Sequence, residues 1–395
     1  MTDRELDVGV VGAGFAGMAA ALFLAKDGHR VTLYERAAKP GPVGAAIVLQ
    51  PSGLAVLRRL GVDRDVGAKS GRIDRLQVRS PKGRLLIDLD YAAIDPRWYG
   101  LGVGRGVLFD ALYALVTASR RIAVRTGAEV AGAKPVDGGH RLAHADGSEL
   151  GRHQLVVAAD GSRSRVALSI PGRELVPYPW GALFYVGACP DDPVLRQVAD
   201  GARRFVGVLP MGQGRASLFW SLRADRQDEW RKRFTSWREE ALRLAPHASP
   251  LIEAMRAPED VLFAPYCDVR MKRWHAPGLV AIGDAAHATS PQLGQGTNLA
   301  LIDALVLADA VRAHGLDGLP LYADRRRRQL AYYQRATRWL TPFFQSDSRA
   351  LGWLRDLGFP IARRIGPIRR LMSASMAGVA AGFFGRREPL VSDWP

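Results

Sequence analysis

The sequence predicts an α/β fold: a parallel sheet covered by helices, interleaved with a mostly antiparallel sheet and followed by a helical segment. Strand and helix patterns alternate cleanly over residues 5–36, as in a unit that opens a parallel sheet. Two later apolar runs, Leu155–Ala159 and Leu279–Ile282, each end in an acidic residue beside a glycine, Asp160-Gly161 and Gly283-Asp284. Segments such as Ala182–Val186 and Ala216–Ser221 belong instead to β-rich stretches that read as an antiparallel sheet.

Taken in order, Asp7–Val11 is a short buried strand, followed by a Gly-rich turn, a helix through about Ala25 and a second strand, Arg30–Glu35. The turn, Gly12-Ala13-Gly14-Phe15-Ala16-Gly17, is a full GxGxxG. Gly12 permits the tight turn, Gly14 lets backbone approach a pyrophosphate, and Gly17 allows close helix–strand packing. The helix N-terminus then offers unpaired N–H groups to phosphates. Glu35 ends the second strand, where a carboxylate accepts hydrogen bonds from ribose hydroxyls, and Arg36 follows it. Glycine triplets are common in a chain with 42 Gly, but the strand before, the helix after and the acid at this distance make a Rossmann-type dinucleotide site. Only one such fingerprint occurs. Residues 1–71, 98–174 and 268–330 are assigned to this domain, 72–97 and 175–267 to a substrate-binding β-sheet domain, and 331–395 to a basic helical segment.

Composition narrows the function. The balance of 48% hydrophobic and 24% charged residues is that of an ordinary globular protein. Cys189 and Cys267 stand alone as thiols of a reducing compartment, and no zinc-type cluster, HExxH or GxSxG is present, which argues against metal and serine-hydrolase chemistry. No run of about 18 uncharged apolar residues exists to cross a bilayer, and no secretory signal is apparent, so the expected location is cytoplasmic. Much of the net charge of +16 lies late in the chain: residues 325–395 carry 14 Arg against Asp347, Asp356, Glu388 and Asp393. No nucleic-acid motif accompanies it.

The segment Gly283-Asp284-Ala285-Ala286-His287-Ala288-Thr289-Ser290-Pro291-Gln292-Leu293-Gly294-Gln295-Gly296-Thr297-Asn298 resembles the GD motif of the group A FAD-dependent monooxygenases, the para-hydroxybenzoate hydroxylase-like aromatic-ring hydroxylases that include ubiquinone-biosynthesis hydroxylases. The resemblance implies non-covalent FAD, with Asp284 on the ribityl chain. Pro291 would form a rigid wall, and Gly294, Gly296, Thr297 and Asn298 would bring a helix start to the flavin. Gly104-Arg105-Gly106-Val107-Leu108 is similar to the family's helix start whose arginine reaches FAD. Gly44–Pro51, with Ala46, resembles the flavin-adjacent loop, and Ala159–Ser164, with Asp160, the DG motif. The chain departs from the pattern at Ala167, where the family usually has an arginine; Arg163 and Arg165 are the nearby substitutes. The resemblance covers roughly residues 5–330.

It further implies that NAD(P)H reduces FAD, that O2 then adds to give a flavin C4a-hydroperoxide, and that an electron-rich ring takes up one oxygen atom. The sequence assigns no catalytic base. Tyr185 is a candidate beside its reading as an ordinary core tyrosine, and His287 reads as a structural neighbour of the flavin. Phe184, Tyr185, Phe205, Met211, Phe219, Trp220 and Pro265 form the expected apolar pocket lining. With no arginine placed to clamp a carboxylate, the expected substrate is a lipophilic aromatic or quinone-like ring. An FAD-dependent reductase or dehydrogenase of an isoprenoid or other lipophilic substrate is the alternative on the same fold; a non-catalytic nucleotide carrier, from another class, would not need the GD segment.

The tail interleaves Trp339, Leu340, Phe343, Phe344, Leu351, Trp353, Leu354, Leu357 and Phe359 with arginines. The pairs Arg363-Arg364 and Arg369-Arg370, an apolar stretch from Leu371 to Phe384, and Arg386-Arg387 follow. That stretch is expected to lie against an anionic membrane surface, peripheral at its inner face, the other reading being helices packed over the domains.

Overall fold

The computed structural model describes residues 5–42 and 44–382. Arg386-Arg387 and the end of the apolar stretch, including Phe384, lie outside the described residues.

The first sheet has six strands, in the order His275–Ala276, Leu279–Ala281, Leu155–Ala158, Asp7–Val11, Arg30–Glu35 and Ile122–Thr126. All neighbours are parallel except the first pair. Val8 pairs with Leu155 on one side and Val31 on the other, so the fingerprint strand is central. Its helix, Phe15–Lys26, is buried nearly all round, because one side covers the sheet and the other packs on helix Gly296–His314.

The second sheet has seven strands: Leu262–Met271, Arg173–Ala188, Arg215–Arg223, Arg204–Gly212, Val194–Asp200, Arg75–Arg79 and Leu85–Asp90. Strands from two distant stretches of sequence thus share one sheet, joined by the parallel pair Val194–Asp200 and Arg75–Arg79. The two faces bury different things. One is covered by the short helices Gln227–Lys232, Phe234–Leu244 and Ser249–Ala254, where Trp220, Trp230, Phe234 and Trp237 pack edge to face or stacked. The other presents Phe205, Leu209 and Phe219 to a core continuous with the nucleotide-binding sheet. A small sheet of Ala46–Leu49, Gly100–Gly104 and Gly71–Ile73 bridges the two, so closely that a Cβ on Gly102 would lie 1.8 Å from the Pro210 carbonyl oxygen.

Helices Gly296–His314, Gly318–Leu340, Arg349–Ala362 and Gly366–Met376 follow, and the boundary expected after residue 330 falls inside the second of them. One expectation is corrected here. The described part of the apolar stretch after Leu371 does not lie on the outside: Ser373–Ala380 is buried within the protein. The Ser375 carbonyl accepts from Tyr333 Oη at 3.1 Å and from Gln295 Nε2 at 3.1 Å. The Met376 carbonyl accepts from Gln295 Nε2 at 2.7 Å, and that of Gly378 from Gln329 Nε2 at 3.0 Å. The small, partly polar residues of this stretch fit a crowded, hydrogen-bonded interior better than a lipid surface.

Candidate active site

The fingerprint glycines occupy three different environments. Gly12 has φ +102°, and a Cβ there would lie 2.5 Å from the Ala159 carbonyl oxygen. A Cβ on Gly17 would come within 1.9 Å of the Gly12 carbonyl oxygen, so the helix can approach the strand only without a side chain. Gly14, the N-cap of the helix, is exposed and faces open space. A tight turn, a close crossing and a bare helix start form a cradle for a pyrophosphate. Glu35 accepts from Ala13 N and Ala37 N, both at 2.9 Å, which fixes its carboxylate while leaving lone pairs for ribose hydroxyls. Phe15 is half-buried, Ala16 is buried against Gly283, and Arg36 is exposed.

Three strand ends converge on this cradle. Asp160 follows the strand next to the fingerprint strand, and Asp284 follows the one beyond it. Burial raises the Asp160 pKa, against hydrogen bonds from Ser164 and nearby backbone; one of its oxygens, Oδ1, has no partner, as suits a group awaiting a ligand hydroxyl. Asp284 is exposed at the start of the short helix Asp284–His287, and a Cβ on Gly296 would lie 3.9 Å from its Oδ1. Arg105, from the third strand end, has its guanidinium 5.8 Å from the Phe15 ring; burial lowers its pKa and Asp284 opposes that shift. It remains a cation. A Cβ on Gly44 would lie 3.1 Å from Arg105 Cδ and Nε.

The loop from Pro291 to Asn298 is pinned from below. Asn298 accepts from Gln50 N at 2.8 Å and donates to the Val48 and Gly294 carbonyls at 3.0 and 3.1 Å. Gly294, with φ +62°, makes the turn, Pro291 is exposed at its start, and Gly296 and Thr297 open the long helix. Ala46 sits opposite Gly104 on the bridging sheet.

Several contributors were not foreseen. Asp303 is completely buried beneath the GD loop. Its Oδ2 accepts from Gly283 N at 2.8 Å and from His287 Nε2 at 2.5 Å, and its Oδ1 from Arg326 Nε at 2.7 Å. Burial alone would raise its pKa, but His287 and Arg326 outweigh that and hold it low. His287 is therefore a structural ligand of Asp303, its ring committed inward. Tyr91, also buried, donates to Gln50 Oε1. Arg173 ties two motifs together, donating to the Ser162 carbonyl and, at 3.0 Å, to that of Ala285, with Asp160 close enough to perturb it. Arg163 and Arg165 are exposed, whereas the guanidinium of Arg173 joins the DG and GD motifs through the Ser162 and Ala285 carbonyls. Lying inside a long strand, Arg173 carries no local motif that would have flagged it.

The expected pocket residues divide by strand register. Phe184 pairs with Phe219, Phe219 with Gly207, and the Phe205 and Phe219 rings are 5.3 Å apart. These three share the face toward the nucleotide-binding sheet. Met211 sits at the bulge ending the same strand as Phe205, its Cε 3.2 Å from where a Gly104 Cβ would be. Tyr185 and Trp220 lie on the opposite face, Trp220 buried against Trp237 and Tyr185 packed on the same helix-covered core. Alternation puts Tyr185 and Trp220 one position out of phase with Phe184, Phe205 and Phe219, so they face the helices and not the nucleotide-binding sheet. Pro265, opposite Gly181, is exposed.

The residues fit FAD: a pyrophosphate cradle at one end, and at the other Arg105, Asp284 and a glycine loop at a helix start. Comparisons with known proteins agree. A family model described as FAD binding domain matches residues 5–330. The chain is 30% identical over 364 residues to 3-amino-4-hydroxybenzoate 2-monooxygenase of Streptomyces cremeus, covering 84% of this chain and 88% of that protein. It is 28% identical to 3-demethoxyubiquinol 3-hydroxylase of Escherichia coli (strain K12), covering 94% and 98%. A crystal structure of a Klebsiella pneumoniae HpxO variant complexed with FAD superposes with a TM-score of 0.81 at 21% identity, covering 96% and 100%. The chain belongs to the FAD-binding-domain family of group A FAD-dependent monooxygenases. It is a flavoprotein oxidoreductase, with FAD as its cofactor.

Proposed function

We propose that the enzyme hydroxylates a lipophilic, electron-rich aromatic or quinone-like ring, taking electrons from NAD(P)H and oxygen from O2. The observation that carries this reading is the aromatic face of the seven-stranded sheet. Phe184, Phe205 and Phe219 lie together on it, and Met211 continues it to the Gly104–Arg105 corner of the cofactor site. A flat ring meeting this face gains apolar burial and edge-to-face contact. The E. coli relative, named for a ubiquinol ring, supports the same reading.

Bound FAD supplies the redox chemistry that activates oxygen. The chain's own residues hold and shield. Asp160, Asp284 and Glu35 would take the cofactor's hydroxyls, Arg105 would offset negative charge, and the fingerprint amides would take the pyrophosphate. The phenylalanines and Met211 would exclude water from the reacting ring, which keeps reducing power from being lost to solvent.

The test is to incubate the FAD-loaded protein with NADH or NADPH under 18O2 and a panel of alkyl phenols, hydroquinones and benzoates. Substrate-stimulated cofactor oxidation with one labelled oxygen in a product from the lipophilic members is the expected result. Reduction of a substrate with no label incorporated would replace the proposal with a reductase. Preference for benzoates would overturn the lipophilic assignment.

A further inference from the structure

Helix Arg349–Ala362 buries Pro360 and half-buries Phe359 against the core but leaves a second apolar stripe outside. Its inward side carries Arg355, 0% exposed, whose guanidinium donates to the Gly201 carbonyl at 2.7 Å, Phe343 at 3.0 Å and Ala199 at 3.2 Å, and to Asp356 at 2.7 Å. Gly352, also inward, packs on Gly201 and Ala202, where a Cβ would come within 3.0 Å of their backbone. These contacts fix the helix's rotation. The stripe they leave outside is apolar: Trp353 is 74% exposed, and Leu354, Leu357 and Ile361 are each more than half exposed. Ile365 and Ile368 continue it beyond the helix. Helices of water-soluble proteins ordinarily turn such a stripe inward, and a contiguous exposed patch of this kind marks a contact surface.

Charge identifies what covers it. Arg364, Arg369 and Arg370 are exposed beside the stripe, and none has an acidic partner among the described residues. The two acids of this region are engaged elsewhere, Asp347 with Arg203 and Arg223, and Asp356 with Arg355. A second copy docking through the same surface would bring like charges together. Residues 383–395 balance Arg386 and Arg387 with Glu388 and Asp393, so they bring no net negative charge to complement it. Exposed Trp, Leu and Ile rimmed by arginines match the acyl boundary and phosphates of an anionic bilayer.

We infer that this surface is a membrane-docking site, seating helix Arg349–Ala362 and the turn after it in the interfacial region of an anionic lipid bilayer. It lies at the end of an aromatic series that starts on the substrate-side face of the sheet. Phe219 contacts Phe205 at 5.3 Å between ring centroids, Phe205 contacts Phe344 at 4.8 Å, and Phe344 contacts Phe359 of the docking helix at 6.1 Å. The inference goes beyond the proposed reaction and is tested without turnover.

The test is flotation of the purified, FAD-containing full chain with phosphatidylcholine vesicles and with phosphatidylcholine–phosphatidylglycerol vesicles. Binding is expected to the mixed vesicles alone and to weaken with salt. Combined Arg364→Gln, Arg369→Gln and Arg370→Gln should weaken it roughly a hundredfold, since each cation near an anionic surface contributes about fivefold. Combined Trp353→Ser, Leu354→Ser, Leu357→Ser and Ile361→Ser should abolish it. All these side chains are outside the core, so flavin content and circular dichroism should match the parent. Protein that stays at the bottom with both vesicle types overturns the inference. So does a dimer in light scattering that the serine variant dissociates, which would make a second copy the occupant.

Discussion

Arg326 and Arg355 are both 0% exposed, yet the protein uses them in opposite ways. Arg326 meets a buried carboxylate, Asp303, and through it holds Gly283 and His287 at the base of the cofactor site; its remaining bonds go to Gln329 and, at 3.4 Å, to the Leu299 carbonyl. Arg355 is held chiefly by main-chain carbonyls, and its one carboxylate partner, Asp356, is half-buried. The first is half of a neutral buried pair whose members depend on each other. The second is a peg that sets which side of a helix faces out. Burial of a charge therefore says little until its partners are named.

Removing the charge at each position should separate these roles. Arg326→Leu leaves Asp303 charged and half-partnered in the core, with an expected cost of about 3–5 kcal/mol and loss of bound FAD, read by denaturant unfolding and flavin absorbance. Adding Asp303→Leu should recover part of the stability but not the flavin, because Gly283 N and His287 lose their acceptor. If the double variant is no more stable than the single, the pair is not coupled as described. Arg355→Met should cost about 2–3 kcal/mol, from carbonyls left without donors, while FAD stays bound. Flavin loss in that variant would merge the two regions into one unit.

Acid sharpens the contrast. The folded pKa of Asp303 is depressed, so its contribution is complete above the ordinary aspartate pKa and is lost as pH falls through the lower folded value. Stability measured downward from about pH 4 should fall in the parent and in Arg355→Met, and this part of the fall should be absent in Asp303→Asn. The smallest effect is expected at Asp160, whose pKa is shifted the other way by burial. A raised folded pKa means that the charged form costs stability at neutral pH, and the cost disappears as pH falls below the ordinary aspartate value. Asp160→Asn should therefore raise the melting temperature of the flavin-free protein by about one to two degrees while weakening FAD binding.

The fingerprint was legible because its glycines answer to backbone geometry a few residues away. The GD loop was legible because its residues are contiguous. Arg326 was not: it sits in the run Arg325–Arg328, which reads as surface charge, and only the packing of two helices shows that one of the four points inward at Asp303. Alternation showed that Phe184, Tyr185, Phe219 and Trp220 belong to strands, but neither strand states which phase faces the nucleotide-binding sheet, and Tyr185 and Trp220 face the covering helices instead. In the tail the apolar residues were visible and their distribution was not. Ser373 to Ala380 went inside, where Tyr333, Gln295 and Gln329 donate to its carbonyls, and the stripe from Trp353 to Ile368 was left outside by an arginine turned inward.

That buried stretch also bears on when the enzyme can acquire its cofactor. Ser52 N donates to the Ala377 carbonyl, and Gln295, which leads into the cofactor-side helix, donates to those of Ser375 and Met376. A ribosome delivers Ser52 long before Ala377. Until then Ser52 N and Gln295 lack these long-range partners, whatever the fingerprint strand and helix have already formed. A chain ending before Ser373 is therefore expected to hold less flavin than the full chain, read by flavin absorbance after purification, even with every FAD-contacting motif in place.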